Sequence, residues 1–202
     1  MQAVDALHFL IHPCYTANED EEQKTLRRIY VDAARRMTAK EVMVVFLDAR
    51  EKRLRERRSR KSKRLGILVD RLTDALGNRI VVLCRNWEIF QPARAVRRTT
   101  EHIRDKLAEC GFCIDRRTPT VAYGEYTEAC VSVGAIALNK QGNFAKPTLI
   151  HTALGDLHAL SETQRAEHVR SKCRAYEFPR KQKRNRRIVY DCELSARRAI
   201  TT

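Results

Sequence analysis

The chain carries four short runs in which hydrophobic residues follow one another almost without interruption, at residues 6–11, 41–47, 79–84 and 120–123. Residues 148–152, where Leu149 and Ile150 lie between polar neighbours, are a candidate fifth run. Each run is too short for a core helix, and polar residues do not recur at every second position, which indicates strands covered on both faces. The sequence therefore predicts five buried strands, with residues 112–114 as a candidate extension that the polar stretch 116–119 interrupts.

Segments with apolar residues three and four positions apart separate these runs, as expected for helices that bury one face. The predicted helices cover about 18–37, 48–76, 92–111 and 127–140. Strands and helices thus alternate along the chain, and this order is typical of a mostly parallel sheet with helices on both sides. The sequence predicts an α/β domain over residues 1–155, a three-layer αβα arrangement around a Rossmann-like sheet of about five strands. Residues 156–202 are predicted to form a basic helical or irregular C-terminal extension.

Charge adds a second strong feature, because the 202 residues include 40 Lys and Arg against 25 Asp and Glu, a net charge of +15. Such a chain attracts nucleic acid and other polyanions. Seven scattered cysteines, with neither a signal peptide nor a membrane-spanning run, favour a soluble protein with free thiols in a reducing compartment, the cytoplasm or the nucleus. The pair Cys110 and Cys113 has the spacing of a zinc knuckle, but a second pair is missing, so we expect no metal and no cofactor.

Two basic runs, at residues 52–64 and 180–187, concentrate this charge. Leu54 is the only apolar residue of the first run before Leu65, so we expect this half of the helix to project into solvent or against a polyanion. Arginine suits phosphate oxygens, and no motif for reading bases is present. The residues predicted to bind nucleic acid are Arg53, Arg55, Arg57, Arg58, Arg60, Lys61, Lys63, Arg64, Arg180, Lys181, Lys183, Arg184, Arg186 and Arg187.

Polar side chains also follow the predicted strands, and parallel strands bring their carboxyl ends to one edge of a sheet, where such folds bind ligands. Cys130 stands at the start of the last helix, where the helix dipole favours a thiolate. The alternative for this thiol is inert packing, which is common for cysteine. The candidate catalytic residues are His12, Asp48, Arg85, Glu125 and Cys130.

The segment Gly124–Val131, followed by Ala135 and Gly142, resembles the nucleophile region of isochorismatase-like cysteine hydrolases. Upstream, Phe90, Leu107 and Gly111 occur in an order similar to that of the family. The resemblance implies a three-layer α/β fold and a hydrolase that acts on a small amide or related substrate through Cys130.

The chain departs from the family's pattern at two catalytic positions. The family has an aspartate at the end of the first strand, where this sequence has His12, Pro13 and Cys14. Its lysine after the third strand corresponds to Arg85, and an arginine does not readily give up its proton. The departures leave three hypotheses: a polyanion-binding protein, a cysteine hydrolase, and an inactive relative that serves as an assembly subunit. The sequence is compatible with a homo-oligomer and leaves the oligomeric state open.

Overall fold

The computed structural model of the protein describes residues 1–13, 21–87, 89–90, 92–125 and 130–150. The predicted helix start near Asn18 and residues 151–202 lie outside the described residues, and so does the whole second basic run. The domain boundary predicted near residue 155 lies outside them too.

The described part contains seven strands and five helices. The strands are β1 (Gln2–Ala3), β2 (Ala6–Ile11), β3 (Glu41–Phe46), β4 (Ile80–Leu83), β5 (Phe112–Cys113), β6 (Thr120–Gly124) and β7 (Thr148–Leu149). The helices are α1 (Glu21–Arg36), α2 (Glu51–Glu56), α3 (Arg60–Leu76), α4 (Ala93–Glu109) and α5 (Ser132–Lys140). Single 3-10 turns precede β4 and follow it, at Gly77–Arg79 and Arg85–Trp87.

The five predicted strands form one sheet in the order β4-β3-β2-β6-β7, and every neighbouring pair is parallel. The predicted parallel sheet is therefore confirmed. The first strand of this sheet, β2, lies in its middle, and the chain adds strands to one side and then to the other. The order reverses between β2 and β6, where doubly wound α/β folds open a crevice at the carboxyl ends of the strands.

One strand pair was not predicted as such. Residues Phe112–Cys113 do not continue β6 but pair in parallel with Gln2–Ala3, as a separate two-stranded sheet. Neither strand has a periodic pattern, because two residues are too few to show one. Their pairing depends on β2 and β6, which lie side by side in the main sheet and carry these preceding segments with them.

The long helix predicted over 48–76 is wrong, because the structure divides it into α2 and α3. Arg57 ends α2 in the left-handed conformation, with φ at 49°, and its N–H donates to the Arg53 carbonyl at 3.1 Å. Ser59 then begins α3 as its N-cap and accepts a hydrogen bond from the Ser62 N–H at 3.0 Å. A serine hydroxyl satisfies a helix N-terminus well, so the polar residues between the two helices favour a new helix start.

Each face of the main sheet packs against its own pair of helices. On one face, α1 and α3 contribute Tyr30 and Leu72, which are fully buried against Val45. On the other, α4 and α5 contribute Ile103 and Leu138, also fully buried. These two apolar clusters make the three-layer αβα arrangement. In the described part of the chain, no helix combines the length and the apolar character needed to cross a membrane.

Candidate functional site

The carboxyl edge of the main sheet brings together four of the five predicted catalytic residues. His12 follows β2 directly, Glu125 follows β6 directly, Asp48 lies two residues beyond β3, and Arg85 lies two residues beyond β4. Backbone hydrogen bonds tie these ends to one another: His12 N–H donates to Phe46 O at 2.9 Å. The juxtaposition follows from the parallel direction of the strands.

His12 and Glu125 lie at the point where the strand order reverses. Ile11 pairs with Gly124 in the β2–β6 register, so the next residue of each strand leaves the sheet beside the other. Both side chains are buried, with 7% of His12 and 6% of Glu125 exposed. His12 has a φ of 48°, and its ring centre lies 5.1 Å from that of Phe90. Two buried side chains of acid–base type that follow adjacent strand ends make a candidate acid–base site.

Gly124 allows the two strand ends to approach this closely. A Cβ atom built at this position would lie 2.0 Å from the Ile11 carbonyl oxygen and 3.0 Å from Val131 Cγ2. No side chain fits there, so the close contact between the two backbones requires a glycine at position 124.

Cys130 lies two residues before Ser132, the first residue of α5. Its side chain is half-buried and packs against the apolar cluster of the α4–α5 face. It therefore lies near the N-terminal end of α5, as the sequence predicts. Residues 126–129, which include the predicted helix start at Thr127, lie outside the described residues.

Asp48 interacts with two cationic side chains at the carboxyl edge of the sheet. Lys61 Nζ lies 3.2 Å from Asp48 Oδ2, and Arg85 Nε lies 4.0 Å from Asp48 Oδ1. Lys61 belongs to the predicted nucleic-acid-binding run, so this ion pair fixes the start of α3 at the carboxyl edge. Asp48 is thus suited to neutralise and position cations.

Residues 50–64 are hereafter the basic segment, with ten basic and two acidic side chains. α2 contains no buried residue, although half-buried Leu54 packs against the α1–α3 cluster. The expectation that no face of this segment can be buried is wrong for α3, where Ser62 is 5% and Arg64 is 9% exposed. The first turn of α3 packs against the domain because Leu65 and Leu68 lie on the same helix face.

The cations of the basic segment fall into two groups. Arg57 folds back over α3: its Nη2 lies 2.6 Å from Asp70 Oδ2, and its Nε would lie 3.0 Å from a Cβ at Gly66. Arg57, Lys61 and the buried Arg64 belong to the first group, whose members are engaged with other residues of the domain. The first group also includes Lys52, Arg55 and Arg58, which pair with the two glutamates of the segment.

The second group is exposed and makes no ion pair with any described residue. It consists of Arg50, Arg53, Arg60 and Lys63. Sequence reasoning missed Arg50, which is the N-cap position of α2 and precedes the run of like charges. The two groups can be distinguished only in the folded structure. Asp48 and Asp70 neutralise cations that lie thirteen residues away from them along the chain.

Within the described ranges, no three His, Cys, Asp or Glu side chains cluster so that they could hold a metal ion. The cysteines of those ranges, Cys84, Cys110, Cys113 and Cys130, are free thiols. Burial, and then the nearby Glu51 carboxylate, raise the pKa of Cys84, so this thiol is protonated at neutral pH.

A scan against protein-family models and a search of the curated proteins find no match to this sequence. The strand order and the geometry of the site define the chain as a doubly wound α/β protein with a basic segment at the carboxyl edge of its sheet.

Proposed function

We propose that this protein binds polyanions, and RNA or DNA in particular, through the phosphate-facing cations of the basic segment and without reading base sequence. The observation that supports this proposal is the group of four exposed cations, Arg50, Arg53, Arg60 and Lys63, that no described carboxylate neutralises. Like charges this close repel one another, and phosphates would relieve the repulsion. The cations belong to helices that Lys61 and Arg57 anchor to the domain, so they are presented on a rigid support.

The salt dependence of binding tests this proposal. Four phosphate contacts predict a log–log slope of about −3.6 for duplex DNA and about −2.8 for a single strand. We expect fluorescence anisotropy with short RNA and DNA oligonucleotides to give slopes of this order, with similar affinities for unrelated sequences. Replacing all four cations with glutamine should remove most of the slope.

A matched variant with the same change in net charge controls for long-range electrostatics. It replaces four exposed cations outside the segment with glutamine, namely Arg28, Lys40, Arg94 and Arg98. This variant should keep most of the affinity and the slope. Equal losses in the two variants would show that net charge, and not the basic segment, is responsible, and the proposal would then be wrong.

A second candidate function is hydrolysis of a small amide or related substrate through Cys130, with His12 or Glu125 as the base. The position of Cys130 near the start of α5, beyond the close β2–β6 contact, supports this candidate. The test is iodoacetamide labelling near neutral pH followed by mass spectrometry. An activated Cys130 should react faster than Cys113, which is exposed.

Labelling of Cys130 only after unfolding would exclude a nucleophilic role for this thiol. That outcome agrees with the third hypothesis, an inactive relative that acts as an assembly subunit. Light scattering of the purified protein then measures whether it forms a homo-oligomer, and this measurement does not depend on the thiol.

A further inference from the structure

Two arginines from different parts of the chain meet at the loop after α5, far from the basic segment. Arg104 on α4 donates from Nη2 to the carbonyl oxygens of Gly142 at 3.0 Å and Asn143 at 3.3 Å. The Asn143 amide is oriented with its oxygen towards Arg116, because it then accepts from Arg116 Nε at 2.7 Å and Nη2 at 2.9 Å. Both guanidinium groups therefore hold the same residue, Asn143.

Within the described ranges, neither Arg104 nor Arg116 forms an ion pair with a carboxylate. The Glu101 carboxylate acts on Arg104 only through its charge, and its effect on the pKa of Arg104 is smaller than those of burial and of Arg116. The Arg104 guanidinium also lies over the Phe144 ring, 4.6 Å from its centre. Burial, and then the neighbouring Arg116 charge, lower the pKa of Arg104. The fold thus brings two like charges together at a cost that an anion would offset.

Each guanidinium keeps donors beyond those that hold the loop. The Arg104 contacts use Nη2 alone, and the Arg116 contacts use Nε and Nη2. Arg104 Nε and Nη1 and Arg116 Nη1 are left to donate to a ligand, since an arginine side chain carries five N–H donors. Because the loop carbonyls and the Phe144 ring fix the Arg104 group, little side-chain freedom is lost when a ligand binds.

The pair lies on the opposite side of the domain from the basic segment. Thr120 Oγ1 donates to Ala145 O at 2.9 Å, which places the loop after α5 next to the first residue of β6, at the amino edge of the sheet. Arg104 belongs to the α4–α5 face, whereas the basic segment lies at the carboxyl edge and packs with α3 on the other face. The two groups of cations therefore do not form one surface.

We propose that Arg104 and Arg116 form a binding site for a single phosphate-type oxyanion. The planar donors of two guanidinium groups suit a tetrahedral oxyanion better than point charges would, and charge-assisted hydrogen bonds of this kind are strong. The oxyanion can come from a free phosphorylated molecule or from a nucleic-acid backbone. The inference does not rest on the proposed function, because it involves none of the residues of the basic segment.

Inorganic phosphate is the probe that tests this site. A ligand that binds only the folded state stabilises it by RT ln(1 + L/Kd), where L is the free ligand concentration, so the stabilisation rises with the logarithm of the ligand concentration. We expect phosphate to raise the thermal unfolding temperature relative to chloride at equal ionic strength, and calorimetric titration to give the affinity. Arg116→Gln should weaken phosphate binding roughly tenfold, the loss of one charge-assisted contact.

Arg117→Gln is the matched control, since Arg117 is the adjacent exposed arginine and contacts Asp115 through its backbone N–H. This variant should bind phosphate like the original protein. The inference would be overturned if phosphate bound Arg116→Gln as tightly as the original protein. It would also be overturned if phosphate did not bind the original protein at all. Arg104→Lys offers a second variant that keeps the charge and should still bind more weakly, because lysine lacks the planar fork.

The variant that lacks the four exposed cations of the basic segment separates this inference from the proposed function. It should keep phosphate binding and lose the part of the oligonucleotide affinity that depends on the basic segment. To distinguish the sources of the oxyanion, a short oligonucleotide is titrated into this variant in the presence of phosphate. Competition between the two ligands that disappears when Arg116→Gln is added points to the nucleic-acid backbone. Phosphate binding without such competition assigns the site to a free phosphorylated molecule.

Discussion

Gly124→Ala is the substitution that most directly probes the geometry of the crevice. The added methyl group would lie 2.0 Å from the Ile11 carbonyl oxygen, a backbone atom in the middle of the sheet. Ordinary carbon contacts lie at about 3.5 Å. The two central strands would have to separate by more than ~1 Å, and neither can move without disturbing the neighbouring strands β3 and β7.

The expected cost follows from these contacts. Overpacking in a rigid interior costs about 1–3 kcal/mol, and the loss of a buried backbone hydrogen bond adds about 1 kcal/mol or more. We therefore expect Gly124→Ala to lower the free energy of unfolding by about 2–4 kcal/mol, a large part of the ~5–15 kcal/mol typical of a domain. The strand ends that carry His12 and Glu125 would separate as well.

Urea unfolding followed by circular dichroism measures this loss. Gly77→Ala is the matched control, because Gly77 has a φ of 59° and a Cβ there would meet nothing within 4 Å. That control carries only the backbone strain of an alanine held at φ 59° and ψ −121°, about 1–3 kcal/mol. If Gly124→Ala costs no more than Gly77→Ala, β2 and β6 are not in close contact, and the crevice as described does not exist.

Two further predictions concern ionisable groups. The His8 ring, whose Nε2 lies 3.8 Å from Glu41 Oε1, and then the Thr38 backbone N–H, which donates to Glu41 Oε2 at 2.7 Å, lower the pKa of Glu41 from its ordinary value. The unfolded chain then binds the proton more tightly, so this contribution to stability is present above about pH 4.5 and is lost as the pH falls. We expect Glu41→Gln to flatten the acid side of the urea midpoint plotted against pH, and a parallel downward shift at every pH would contradict this. Because burial raises the pKa of Cys84, it should react with iodoacetamide at mildly alkaline pH more slowly than the exposed Cys113 in the folded protein and at the same rate in urea. Faster labelling of Cys84 in the folded protein would refute the assignment of a buried, protonated thiol.

Much of the architecture could be predicted from local pattern. The apolar runs at 6–11 and 41–47 became β2 and β3 almost residue for residue, because a strand covered on both faces has to be apolar throughout. The run at 148–152 was predicted too, although the described strand covers only Thr148–Leu149. Alternation with helical segments then made the parallel direction of the sheet predictable.

Prediction was weaker where a residue's environment comes from distant parts of the chain. The break between α2 and α3 depends on Arg57, which folds over Gly66 and pairs with Asp70. A run of like charges looks uniform in sequence. Nothing within it reveals that Arg57 and Lys61 form ion pairs while Arg53 and Lys63 form none with the residues that the structure describes. Charge could be counted in advance, but its neutralisation depended on tertiary contacts.

The amino-acid sequence by itself determined the class of fold, the excess of positive charge and the residue types at the strand ends, because these follow from hydrophobic period and composition. Only the tertiary structure decided which cations remain available to a ligand, that His12 and Glu125 emerge side by side, and that Arg104 and Arg116 meet at Asn143. The physical reason is that electrostatic and hydrogen-bond partners are set by distance in space, and the strand order of the sheet brings together residues that lie far apart in the chain.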